Sequence, residues 1–292
     1  MTYRNERGLT WGLVTPALLL LVLFNVFPLL YNLALSFTNA ELVGDGARFV
    51  GGANYARVFS DPLYSGALRR TALFVCCAVG LELVLGFAFA LALKREFRGK
   101  ALVLTLALVP MMLSPAVMGL YWGLILNGNY GVLNQVLGEL GLAQPQWLTD
   151  RGLKFWSILL IDVWMWTPFM ALVSLAGLQS IPPHIYEAAE IDRAGAWTVF
   201  RRITLPLVAP LLGLAVLLRA TDALKQFDLV MATTGPNDGA TQTLSTLLYQ
   251  VVFRDGKVGL GSAYACVVLV VVIALATVFT RYLDRLKGAE AR

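Results

Sequence analysis

The sequence predicts an all-α protein that crosses a membrane, and three observations carry that prediction. Hydrophobic residues make up 58% of the chain and charged residues 14%, with a mean hydropathy of +0.70. That balance is too apolar for a water-soluble chain of this length. Residues 8–40 carry no charge, a longer run than the roughly 20 apolar residues that a helix needs to cross a hydrocarbon layer. The apolar segments are also continuous rather than short and alternating, which excludes the strands of a transmembrane barrel.

In chain order, the first span is read over 9–37. It outlasts the roughly 7–15-residue apolar core of a signal peptide and shows no clear small-residue cleavage site, so it is expected to remain in the mature protein. Further spans are predicted over 70–93, 102–126, 155–179, 207–232 and 261–282. Six spans leave nothing for a separate soluble domain, so residues 1–292 are read as one transmembrane domain. Gly, Asn and Pro cluster between the spans, where turns belong.

Orientation follows from the basic residues, which gather on the cytoplasmic side of membrane proteins. With the N-terminus inside, the inside segments hold Arg4 and Arg7, then Lys94, Arg95, Arg98 and Lys100, then Arg193, Arg201 and Arg202, and finally Arg281, Arg285, Lys287 and Arg292. Both termini and the loop 181–206 are then cytoplasmic. This bias accounts for the net charge of +5 without any nucleic acid. Cys76, Cys77 and Cys266 fall within spans and act as small hydrophobes. The only histidine, His184, cannot form a metal site alone, so no metal is expected.

The loop 181–206 is polar and basic between apolar spans. Pro182 and Pro183 suit a helix start, because the first helical N–H groups have no partner in any case. Glu187, Glu190 and Arg193 recur at three-residue spacing along one face. Ile185, Ala188, Ala189 and Ile191 supply small or apolar surface, and a second short helix is read over roughly 196–204. The stretch EAAEIDRAGAWTVFRRITLPL (187–207) resembles the EAA loop of ABC-importer permeases. In that pattern Glu-Ala-Ala is followed after three residues by Gly, and nine residues later by Ile-x-Leu-Pro. Glu187, Ala188, Ala189, Ile203, Leu205 and Pro206 match at that spacing.

The resemblance implies a coupling element of two short helices, seated in a cleft of a cytoplasmic ATPase and including Asp192, Arg193, Ala194, Gly195 and Phe200. Arg193 departs from the pattern, standing where relatives have Gly, and an L-residue reaches positive φ only at a cost. Gly195 is the alternative site for the break, and Arg193 is within i,i+3 reach of Glu190.

Other stretches extend the resemblance to the carbohydrate-uptake branch. They are PALLLLVLFNVFPLLYNLALSFTNA, FVGGANYARVFSDP, DVWMWTPF, LAGLQSIP and FDLVMATTGP. That branch implies the six-helix fold of type I ABC-importer permeases. It further implies a second homologous permease, an ATPase dimer that uses ATP and Mg, a periplasmic binding protein, a sugar or polyol solute, and a bacterial inner-membrane location.

Ionisable groups inside spans mark the solute path, because charge in lipid is costly and turns to the bundle interior. Glu82, Asp162, Arg219, Asp222, Lys225 and Asp228 qualify. Arg219, Asp222 and Gln226 fall at i, i+3 and i+7 of the fifth span, and Trp164 and Trp166 flank Asp162 with faces suited to a sugar. The path candidates are therefore Asp162, Trp164, Trp166, Arg219, Asp222, Gln226 and Asp228. Ion pairing of Asp222 with Arg219 or Lys225, serving only helix packing, is the competing reading.

An ion-coupled secondary carrier is the alternative function, but such carriers usually show inverted repeats and broken helices. No paired carboxylates, nucleophile or GxxxxGK[ST] loop is present, so catalysis and ATP hydrolysis are not expected of this chain.

Overall fold

The computed structural model describes residues 3–44 and 46–290, with side chains over 11–44 and 46–281. Arg4, Arg7, Arg285, Lys287 and Arg292, used above for orientation, lie outside the described side chains. The regular secondary structure of the described residues is helical, apart from an isolated antiparallel bridge between Thr38 and Phe49. The chain divides into two compact units, Met1–Tyr64 with Leu248–Val270, and Ser65–Leu247 with Val271–Arg292.

In the first unit, the opening span runs through α1 (Tyr3–Leu21), a wide π turn (Val22–Val26) and α2 (Phe27–Leu35). The π turn contains Phe24, four residues before Pro28. Pro cannot donate to that carbonyl and its ring crowds it, so the wider turn relieves the clash without breaking the helix. No residue of Trp11–Leu35 is buried, as expected of a lipid-facing surface.

The loop after α2 is tied down by side chains. Asn54 donates to the carbonyls of Ser36 and Thr38, each at 2.8 Å, and sits on α3 (Ala53–Ser60). Asp61 accepts a bond from the Leu63 N–H at 2.8 Å and so caps α4 (Pro62–Leu93), with Pro62 in the first turn.

The second unit holds most of the remaining helices. The span predicted over 102–126 is two helices, α5 (Lys100–Met112) and α6 (Pro115–Ile125), bent by 98°. Pro115 forces Ser114 into an extended conformation (φ −63°, ψ 131°), and Leu113 is extended too (φ −90°, ψ 147°), so helix cannot pass. After α7 (Val132–Glu139) comes α8 (Lys154–Gln179), the most buried of the candidate spans.

The predicted fifth span, 207–232, is also redrawn. After α9 (Pro183–Ile191), a continuous helix of 28 residues, Ala196–Ala223, comprises α10 (Ala196–Val199), a π turn (Phe200–Thr204) and α11 (Leu205–Ala223). Pro206 therefore does not start a new helix. Its clash falls on Arg202, inside the π turn, as Pro28's falls on Phe24. The chain then turns at 224–227 into the short α12 (Asp228–Thr233). Two further helices, α13 (Leu244–Tyr249) and α14 (Val258–Glu290), complete the set, the latter starting and ending beyond the predicted 261–282.

Packing in this unit is close because glycines stand at the contacts. A Cβ on Gly86 of α4 would lie 2.6 Å from the Met170 Cβ on α8, and one on Gly177 of α8 would lie 2.7 Å from Val208 on α11. On α6, Gly119 meets Ala232 of α12 at 2.6 Å. Small residues of this kind let membrane helices gain dispersion contacts that the hydrophobic effect does not supply in lipid. Phe74, Met118, Ile158, Met165 and Leu229 fill one core, and Phe87, Leu178, Val208 and Leu212 another.

The segment after α12 returns along the N-terminal parts of α4 and α8. Gly235 (φ +80°) allows the exit, its N–H reaching the Val230 carbonyl at 3.0 Å. Arg70 donates to the Gln242 carbonyl at 2.9 Å, and Lys154 pairs with Asp238. Burial pushes the Asp238 carboxyl up, but the bonds from Lys154 and the Ala240 N–H outweigh it and hold the group below its usual value.

Candidate functional site

Two sites emerge, joined by α8 and α11. The first is the loop. Pro182 is extended (φ −60°, ψ 136°) and Pro183 opens α9. The helix ends in a Schellman turn, in which the Ala194 N–H returns to the Ala189 carbonyl at 2.9 Å and the Arg193 N–H to that of Glu190 at 3.0 Å. Arg193 has φ +53°, the only positive φ among described non-glycine residues.

The left-handed turn is therefore made at Arg193, where the pattern places Gly. Gly195 does not supply it, having φ −63° and ψ 149° at the start of α10. Among the described residues, Arg193 and Glu190 share this backbone bond but no ion pair.

Several contacts hold the loop to the helix ends. Tyr186 and Thr204 hydroxyls lie 3.2 Å apart, and Lys94 sits 3.8 Å over the Tyr186 ring. Phe200 packs with Phe87 (6.1 Å) and stacks on Trp197 (5.5 Å). Ala189 is buried against its own chain, so it offers no open surface, whereas Glu187, Ala188, Asp192 and Gly195 are exposed. Ala194 and Ile203 are half-buried, and Leu205 and Pro206 are exposed. Ile191 and Trp197 stand 83% and 69% exposed, a large apolar surface for a segment lying between spans.

The second site is a charge network between α4, α8 and α11. The Arg219 guanidinium on α11 is 2% exposed and meets two carboxylates, Glu82 of α4 (0%) and Asp162 of α8 (1%). Its Nη2 donates to Glu82 Oε1 at 3.0 Å and also to Asp162. The approach of Nε to Glu82 Oε2, at 2.9 Å, is a charge contact out of line for a hydrogen bond. Gln226 donates to the other Asp162 oxygen at 2.7 Å, so both oxygens of Asp162 are occupied. Trp166, one helical turn after Asp162, covers the guanidinium at 4.9 Å.

Asp222 differs in kind: it is 52% exposed, 3.5 Å from Arg219 and 4.0 Å from Lys225. A cavity of about 300 Å³ opens beside the network, lined by Asp162, Trp166, Asp222, Lys225, Gln226 and Asp228 among others. The α5–α6 bend closes one side through Met111 and Pro115.

Of the sequence-predicted path residues, Trp164 alone is not brought here. Two residues from Asp162 is about 200° around a helix, and Trp164 stacks edge-on with Trp122 at 5.4 Å instead. Gln226 lies past the end of α11 rather than on it, yet reaches the network through the turn. The sequence marked Glu82 and Lys225 as intramembrane charges but not as path residues, and Glu82 proves to be a direct partner of Arg219. The Lys154–Asp238 pair carried no advance signal, since its members are 84 residues apart.

The model of the family described as "Binding-protein-dependent transport system inner membrane component" matches residues 82–287. The chain is 34% identical over 281 residues to the trehalose/maltose transport system permease protein MalF of Thermococcus litoralis, covering 96% of this chain and 95% of that one. It is 32% identical over 277 residues to the trehalose transport system permease protein SugA of Mycobacterium tuberculosis, covering 94% and 89%.

Its fold matches a chain of a bacterial alginate ABC transporter, solved in complex with alginate pentasaccharide-bound periplasmic protein, with a TM-score of 0.85 over 96% of both chains. At 19% identity that likeness concerns the fold alone. An all-helical membrane chain with this loop, this family match and these relatives is a transporter permease: it belongs to the family of binding-protein-dependent transport system inner membrane components.

Proposed function

We propose that this chain is one permease subunit of an ATP-driven importer that receives a sugar or related polyol from a periplasmic binding protein and releases it to the cytoplasm. The solute class is supported by the relatives, whose names specify trehalose and maltose. The other parts are a second homologous permease and a cytoplasmic ATPase dimer that consumes ATP with Mg²⁺.

One observation carries the mechanism: the two helices that flank the loop, α8 and α11, each carry a member of the buried network, Asp162 and Arg219. From Gln179 back to Asp162, and from Phe200 on to Arg219, helix runs without interruption for about 25–30 Å at 1.5 Å per residue. Movement of the docked loop is delivered to the cavity along these rods. Closure of the ATPase dimer shifts the permease outward-facing and hydrolysis resets it, provided that each docking event binds the two states unequally. Exposed Glu187, Ala188, Ile191 and Trp197 form the docking face.

The test replaces exposed loop residues that make no contact within the chain's core. Glu187→Lys and Ala188→Trp should weaken association with the ATPase by about 1–3 kcal/mol, through a mismatched charge or an overfilled groove. Co-purification and binding-protein-stimulated ATPase activity read this directly. Full assembly with wild-type stimulation in both variants would overturn the docking assignment.

A further inference from the structure

We infer that the cavity beside α11 takes polyhydroxy solutes that carry no negative charge and turns away their phosphorylated or carboxylated counterparts. This rests on the importer reading above and narrows it. The first ground is that the buried cation is already spent. Nε and Nη2 of Arg219 face Glu82, Nη2 also serves Asp162, Nη1 faces Asp222, and Trp166 covers one side of the plane. An incoming anion must displace a carboxylate from a site only 2% exposed, where the loss is not made good by water.

The second ground is the charge balance. The cavity is lined by Asp162, Asp222 and Asp228 against Arg219 and Lys225, and Glu82 is buried against Arg219. The balance stays negative even with one of the four acids protonated. Lys225, 61% exposed and already near Asp222, is too well solvated to reverse it.

The third ground is the hydrogen-bonding character of the exposed groups. Asp222 and Asp228 are exposed acceptors, which sugar hydroxyls satisfy as donors and a phosphate dianion does not. Trp166 also lines the cavity and offers a ring face to sugar C–H groups.

The experiment uses the assembled transporter in lipid nanodiscs without its binding protein, so that the binding protein's own selectivity does not intervene. Saturation-transfer NMR compares trehalose with trehalose 6-phosphate. Trehalose should bind, and the phosphate should bind at least about tenfold more weakly, the scale set by one uncompensated charge at close range. The double variant Asp222→Asn with Asp228→Asn, which keeps the buried contacts of Arg219 with Glu82 and Asp162, should narrow that gap to about threefold or less.

Equal binding of the two probes by the wild type, or an unchanged gap in the double variant, would overturn the inference. If neither probe binds while the loaded binding protein still stimulates ATPase activity, the cavity is off the solute path and the inference falls with the importer reading intact. Absence of that stimulation as well would bring down the importer reading itself.

Discussion

Asp162 and Asp222 are the same side chain in opposite settings, and the difference decides what each can do. Asp162 is sealed, with one oxygen on Arg219 and the other on Gln226. Asp222 is half in water, with its nearest cations at 3.5 and 4.0 Å. The intramembrane position of both was legible in the sequence, because a charge among apolar residues stands out. The sequence also offered the pairing of Asp222 with Arg219 or Lys225 at three-residue spacing, but not the sealing of Asp162, whose ion pair with Arg219 joins residues 57 positions apart.

The expected result follows the burial. Asp162→Asn should destabilise the assembled complex by about 3 kcal/mol, the low end for breaking a buried pair because Glu82 keeps one edge of the guanidinium paired. Asp222→Asn should leave the melting temperature unchanged and alter solute-dependent ATPase stimulation. Thermal unfolding monitored alongside transport separates the two, and a stable Asp162→Asn protein with lost transport would return Asp162 to the solute path.

At the scale of elements, hydropathy located the apolar segments but was blind to how they bend. The break at 113–114 lay in the sequence as Leu-Ser-Pro, a residue pair forced extended ahead of Pro115, yet it does not disturb an average over apolar residues. The π turns at 22–26 and 200–204 are likewise written by Pro28 and Pro206, and they keep helix where a proline suggests a stop. Arg193 was legible as a departure; that it takes the left-handed angle anyway follows from the Schellman bonds, which secure the turn whatever side chain sits there.

Helix contacts were the least visible feature, since a glycine reads the same whether it faces lipid or a neighbour. Gly86 and Gly80 on α4 make a test of this. A Cβ at Gly86 would lie 2.6 Å from Met170 and 2.8 Å from the Ala171 backbone, whereas one at Gly80 meets nothing within 4 Å. Gly86→Ala should cost about 1–3 kcal/mol by forcing α4 from α8, while Gly80→Ala should be neutral or stabilising by up to about 1 kcal/mol. Equal melting temperatures for the two variants would remove close packing at Gly86 from the account.

For the whole chain, the open question of topology turns on the 98° bend. A pair bent so sharply either crosses the membrane as a broken span or folds back to the side it came from, and the choice sets the side of everything after it. The charges flanking it favour crossing. Lys94, Arg95, Arg98 and Lys100 precede the pair, while residues 128–149 after it contain no Lys or Arg, the asymmetry expected of an inside and an outside loop.

Single cysteines report the answer, in a background lacking Cys76, Cys77 and Cys266. Gly99 and Gly141 are poor positions because both have positive φ, +89° and +68°, where a side chain is strained. Glu96 and Ala143 are exposed and free of that strain. With crossing, Glu96→Cys should react with a membrane-impermeant maleimide only after the cytoplasmic face is opened, and Ala143→Cys in intact cells. Labelling of both from one face would make the pair re-entrant and would move the loop at Glu187 to the opposite side from Glu96, where the docking face proposed for the ATPase has no cytoplasm to meet.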